Sequence, residues 1–176
     1  MKTIEQDENR RLNIFIQVCG LVVVFLGLSA ILGWVFDIPQ LASFDSSKIP
    51  MAISTAVLFV AFGFIIFFYK RIISNRIMFR VGVVISIIGI IIALLLLYLA
   101  LKGIHPGAGH LGLGISFAVD GLIVGQMSPV TAFCFVLVGL SFLIMLKKPG
   151  QKKLIKTSLI FAALVFFISI IFLLSY

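Results

Sequence analysis

Long unbroken apolar runs, separated by short polar or glycine-rich segments, organise this chain. A polar start over 1–11, with Glu5, Asp7 and Glu8 followed by Arg10 and Arg11, leads into an apolar run over 12–36. Further runs cover 51–69, 78–101, 127–146 and 157–176. Each is close to the roughly 20 residues that a helix needs to cross about 30 Å of hydrocarbon. None alternates at the two-residue period of a membrane barrel strand. The pattern predicts an all-α integral membrane protein, a polytopic bundle of five transmembrane helices over those ranges. They form one helical domain, 12–176, behind a cytoplasmic tail, 1–11. The first run is too long for a signal-peptide core and lacks a small-residue cleavage site, so it reads as an uncleaved helix.

The connections differ in character. Residues 37–50 hold Pro39, Pro50, three serines and two aspartates, the composition of a loop. Residues 72–80 read as a short basic turn. The longest connection, 102–126, opens with a glycine-rich part unsuited to regular structure. Its second part, 115–124, is apolar apart from Ser116 and Asp120 and too short to span, which predicts a half-helix at the interface or dipping partly into the bilayer.

Composition agrees with the pattern: 62% of residues are hydrophobic and 11% charged, against about 25% charged in a soluble domain. The net charge of +8 would suggest nucleic acid in a soluble protein, but its placement gives another meaning. Lys2, Arg10 and Arg11, then Lys70, Arg71, Arg76 and Arg80, then Lys147, Lys148, Lys152, Lys153 and Lys156 fall on alternate connections. The other two connections carry only Lys48 and Lys102. Positive charge stays cytoplasmic, so the N-terminus is expected inside, both long loops outside, and the C-terminal Tyr176 outside. The expected partner is the lipid bilayer, with no nucleic acid. Trp34 and Tyr176 are expected as aromatic anchors at the outer interface. Cys19 and Cys134 sit at different depths with no CxxC pattern, which argues for small packing residues and against a disulfide.

A repeat lies within the apolar pattern. An ungapped offset of 76 pairs Met51 with Met127, Thr55 with Thr131, Ala56 with Ala132, Phe59 with Phe135 and Gly63 with Gly139. It also pairs Arg71 with Lys147, Arg76 with Lys152 and Arg80 with Lys156. The units, about 41–100 and 117–176, would each hold two helices. Thr55, Phe59 and Gly63, like Thr131, Phe135 and Gly139, fall at i, i+4 and i+8 on one helix face. That face is either a helix–helix seam or a ligand-lining surface. Gly27, Ala30 and Gly33 on the first run, and Gly82, Ser86 and Gly89 on the third, are further small-residue faces that let a neighbouring backbone come close. Ser128-Pro129 reads as an N-cap followed by a proline suited to the first helical position.

The stretch QMSPVTAFCFVLVGLSFLIML, residues 126–146, resembles the Met-Ser-Pro-x-Thr-Ala repeat of a multi-helix membrane sensor region. That region is found ahead of bacterial PAS, histidine kinase and diguanylate cyclase domains. Residues 33–63, with a tryptophan-bearing helix leading through a loop into Met-x-x-x-Thr-Ala, are similar to a diverged first copy. Val130 stands where the family commonly has asparagine, Gln126 where a basic residue is common, and Ala52-Ile53-Ser54 replaces the Ser-Pro-Asn-like start. The resemblance implies the bacterial inner membrane, with signal transduction in the manner of two-component systems. It also implies a further repeat and an output domain beyond this stretch, to which no residue here corresponds.

Candidate chemistry is sparse. No Asp, Glu or His lies within the five apolar runs, where pumps and transporters place ion and substrate sites. No Gly-rich phosphate loop, H-E-x-x-H or G-x-S-x-G occurs, so no enzyme activity, cofactor or metal is expected. His105, His110 and Asp120 in the outer loop are ligand candidates, set against the plainer reading of solvated loop residues. The expectation is a non-catalytic signal-input module acting through helix packing, as a homo-oligomer or on a cytoplasmic or membrane signalling partner. Its rivals are a small oligomeric carrier or channel for a neutral solute and a structural subunit of a membrane complex.

Overall fold

The described residues of the computed structural model are 2–36, 38, 41, 51–102, 118, 119, 122, 123, 127–147 and 152–175. Helix is nearly their only regular structure, as the apolar runs demand. The helices are α1 (Lys2–Val35), α2 (Ile53–Phe67), α3 (Tyr69–Ser74), α4 (Arg76–Leu101), α5 (Pro129–Lys147) and α6 (Lys152–Ser175). Three segments are long and apolar enough to cross a membrane: Asn13–Val35, Arg76–Leu101 and Pro129–Leu146. Ile53–Phe67 and Lys156–Ile171 are shorter apolar helices.

The run expected over 51–69 is divided. Phe68, at φ −91° and ψ 10°, separates the 15 residues of α2 from the 6 of α3. Those angles fall in the sparsely populated bridge region, yet the hydrogen-bond ladder continues across it. The Phe68 N–H donates to Phe64 O at 3.0 Å and the Ile72 N–H to Phe68 O at 2.9 Å. The basic turn expected over 72–80 shrinks to one residue, Asn75, in extended conformation. Its Oδ1 accepts the Ile77 N–H at 2.9 Å, the N-cap role for which asparagine is among the best residues. With no glycine or proline between 69 and 80, helix resumes at once.

A second correction concerns 115–124. Instead of a half-helix, Ala118–Val119 and Leu122–Ile123 pair antiparallel as β1 and β2, with Val119 opposite Leu122.

The offset of 76 reappears in the helix starts. The helix α2 begins at Ile53 and α5 at Pro129; α4 begins at Arg76 and α6 at Lys152. The first bonds correspond as well: the Ala56 N–H donates to Ala52 O and the Ala132 N–H to Ser128 O, each at 3.0 Å. By contacts the chain forms two units, Met1–Met78 with His105–Met127, and Phe79–Ile104 with Ser128–Tyr176. The unit boundary therefore divides the first repeat, whereas α5 and α6 of the second lie in one unit.

In the first unit α1 packs antiparallel on α2. Gly20 meets Phe67 and Gly63, Gly27 meets Ala56 and Val60, and Trp34 meets Met51, so rising numbers on one helix face falling numbers on the other. Gly20 and Gly27 are seven residues apart, as are Ala56 and Gly63, the spacing that keeps one seam against a partner over several turns. Only glycine fits: an added Cβ would lie 2.6 Å from Phe67 N at position 20, and 2.7 Å from Ala56 O at position 27. Trp34 closes the far end and departs from the anchor role expected of it. It is 2% exposed, and its Nε1–H donates to Met51 O at 2.8 Å. Met51 precedes the first turn of α2, so its carbonyl is free to take that proton.

The outward faces are apolar, with Phe15, Val22, Phe25 and Leu32 of α1 and Ile77, Val84, Ile91 and Leu95 of α4 exposed. Hydroxyls on α1, α4 and α6 turn back on their own carbonyls: Ser29 to Leu26 O, Ser86 to Gly82 O and Ser169 to Val165 O, at 2.8–2.9 Å. Internal satisfaction of this kind is what a lipid-facing helix requires. Leucine at Gly27 is expected to destabilise the α1–α2 pair by about 1–3 kcal/mol through overpacking, read from thermal unfolding in detergent. Trp34→Phe should cost about 1 kcal/mol for the lost hydrogen bond by the same measurement.

Candidate functional site

Of the first repeated stripe, Gly63 lies at the α1–α2 seam. Thr55 and Gly63 are buried and Phe59 is half-buried. An added Cβ at Gly63 would stand 2.9 Å from Val24 N and 3.1 Å from Gly20 O, so two backbones meet there. Gly20 completes that contact and stands outside the small-residue faces read along the sequence, which begin at Gly27. The signal that finds it is the pair of seven-residue spacings taken together, Gly20–Gly27 against Ala56–Gly63. Beside Thr55, the Ser54 hydroxyl is buried without a hydrogen-bond partner.

In the second unit Phe135 and Gly139 are buried and Thr131 half-buried. The α5–α6 contact is made by residues the sequence reading did not single out. Ser141 Oγ and Ser158 Oγ lie 2.6 Å apart. Ser141 Oγ also reaches Ser158 O at 3.2 Å, and Ser158 Oγ reaches Ser141 O at 3.4 Å. Each serine lies six residues from its helix end at the α5–α6 connection, as the pairing of an antiparallel helical hairpin requires. Under the 76-residue offset these serines correspond to Ile65 and Gly82, so the clasp belongs to the second copy alone.

Near the α2–α3 junction a cleft of about 390 Å³ is lined by Gln17, Phe67, Phe68, Lys70, Arg71 and Ser74. Phe68 is the pivot. Its ring stands 4.5 Å from that of Phe64 and 4.9 Å, edge-on, from that of Phe67, within the range of favourable aromatic pairs. The contact at Gly20 brings α1 against Phe67, which sets Gln17, one turn earlier, beside the cleft. The sequence reading treated Lys70 and Arg71 only as topology signals. Their meeting with Gln17 depends on helix pairing and has no local sequence mark.

His105, His110 and Asp120 lie outside the described residues. Cys19 and Cys134 are both free, the first exposed and the second half-buried. Among the described residues no group of three or more His, Cys, Asp or Glu is placed to hold a metal.

In a chain whose two native cysteines are replaced by serine, Ser141→Cys with Ser158→Cys is expected to form an intrachain disulfide on oxidation, read as a gel-mobility shift. A double-mutant cycle with alanine should give a coupling of about 0.6 kcal/mol, the usual scale for such bonds between membrane helices. Comparison with protein-family models, curated proteins and solved structures finds no match, so the functional reading rests on this chain's own residues.

Proposed function

We propose that this chain is a non-catalytic, multi-pass signal-input module of the membrane, of the kind the Met-Ser-Pro-x-Thr-Ala pattern resembles. It acts by shifting helix packing against a cytoplasmic or membrane signalling partner. Five crossings fit the helix lengths. Residues 53–74 take in α2, Phe68 and α3, 22 residues in all, or roughly 33 Å at the usual helical rise. The 24 residues of α6 reach about 36 Å on the same scale. The distribution of Lys and Arg supports a cytoplasmic N-terminus and cytoplasmic α3–α4 and α5–α6 junctions, and the resemblance supports a bacterial inner membrane.

The observation that carries this reading is the burial of Gly63 against the Gly20 and Val24 backbone of α1, with Thr55 buried on the same helix. A residue whose backbone touches a neighbouring backbone is withdrawn from any solute pathway. Close-packed helix seams have discrete arrangements and do not deform continuously, which suits a switch better than a carrier. A ligand shifts such a seam only through a difference in affinity between its two arrangements.

Purification from the source cells in mild detergent is expected to retain a stoichiometric protein bearing a kinase, cyclase or regulator domain. Gly63→Leu, which separates α1 from α2, is expected to weaken that association. Reconstitution in liposomes with a panel of neutral solutes supplies the contrary outcome. Flux that disappears on Thr55→Val or Thr131→Val would replace signal input with transport.

A further inference from the structure

The cleft at the α2–α3 junction combines groups that a membrane-spanning helix does not need for its own packing. Lys70 and Arg71 offer two cations, Ser74 a hydroxyl and Gln17 an amide, all on exposed residues, while Phe67 and Phe68 form an aromatic wall. Cations with a hydroxyl and an amide suit a phosphate oxyanion, and the guanidinium binds it with two parallel N–H donors. The aromatic wall does not suit free phosphate, which remains fully hydrated. It suits a ligand with a charged head and an apolar body.

Position narrows the ligand further. Lys70 opens the basic sequence that follows the apolar run of α2, and Gln17 lies early in the apolar run of α1, six residues after Arg11. Exposed Phe64, Val18 and Leu21 provide an apolar surface on the hydrocarbon side of the cleft. Exposed Arg10 and Arg11 precede Gln17 on α1 by six or seven residues, about 10 Å along the axis, and extend the positive field outward. The carboxylate residues of this end, Glu5, Asp7 and Glu8, belong to the first turns of α1, about 14–18 Å before Gln17 by the same rise.

The geometry points to a bound anionic phospholipid at this cleft, its phosphate between Lys70, Arg71, Ser74 and Gln17 and its acyl chains descending past Phe67 and Phe68. Basic pockets between membrane helices on the cytoplasmic side are suited to such headgroups. The inference rests on the reading that α1 and α2 cross a bilayer, and it adds a regulatory input to the signal module. A headgroup seated here would bridge α1 to α3 beside the Gly20–Phe67 contact, so occupancy would bias the same seam.

The test uses the full chain in nanodiscs of phosphatidylcholine with a minor share of phosphatidylglycerol, released for native mass spectrometry. The expected result is preferential retention of phosphatidylglycerol. K70Q/R71Q should reduce it by at least about ten-fold, on the scale of two charges near an anionic surface, and Ser74→Trp, which fills the cleft without changing charge, should reduce it too. R76Q/R80Q removes as much charge elsewhere on the same end and should leave it unchanged. Equal loss in R76Q/R80Q, or retention that survives Ser74→Trp, would reduce the effect to general surface attraction and overturn the site. Loss of the retained lipid on adding excess inorganic phosphate would assign the cleft to free phosphate. A chain that never enters the nanodisc would instead sink the membrane reading, which separates that failure from failure of the cleft.

Discussion

The backbone contact between α1 and α2 is the constraint on which the rest of the first unit depends. Helix association inside hydrocarbon gains little from burying apolar surface, because lipid tails are as apolar as leucine. What remains is close packing, and close packing is greatest where no Cβ intervenes. Gly20, Gly27 and Gly63 supply such places along one antiparallel seam. Once Gly20 lies against Phe67, Gln17 must lie beside Lys70 and Arg71; once Gly27 lies against Ala56, Trp34 must reach Met51. The cleft and the tryptophan hydrogen bond are thus two ends of one register.

The two sequence repeats use the same helix starts for different contacts. In the first, α2 finds α1 and its Gly63 is buried against Gly20. In the second, α5 finds α6, and a serine clasp stands where the first copy has Ile65 and Gly82. A hydroxyl pair can substitute for a glycine crossing, since each gives a helix seam something that lipid cannot offer. Six serines treat the same requirement in different ways: Ser29, Ser86 and Ser169 bond their own helix, Ser141 and Ser158 bond each other, and among the described residues Ser54 has a buried hydroxyl with no hydrogen-bond partner.

Much of the secondary structure was legible because its causes are local. Apolar run length placed the helices to within a few residues, and the Ser128-Pro129 signal placed the start of α5, while α4 and α6 begin at Arg76 and Lys152, ahead of the runs expected from 78 and 157. The misreadings were local as well. Asn75 was lost inside a basic segment read as a turn, although an asparagine between good helix formers is a cap. The apolar pairs Ala118-Val119 and Leu122-Ile123 looked like part of a half-helix and are short antiparallel strands.

Sequence alone determined that the chain is helical and apolar on its outward faces, because each property follows from neighbours within a few turns. The partner of each face was decided only by the tertiary structure. Nothing near Gly20 in the chain marks it as a contact of Phe67, and nothing near Ser141 names Ser158. Trp34 looks like an interfacial anchor until a carbonyl seventeen residues later is brought to its ring nitrogen. Such pairings depend on which two backbones approach most closely, a property of two helices together that neither one carries.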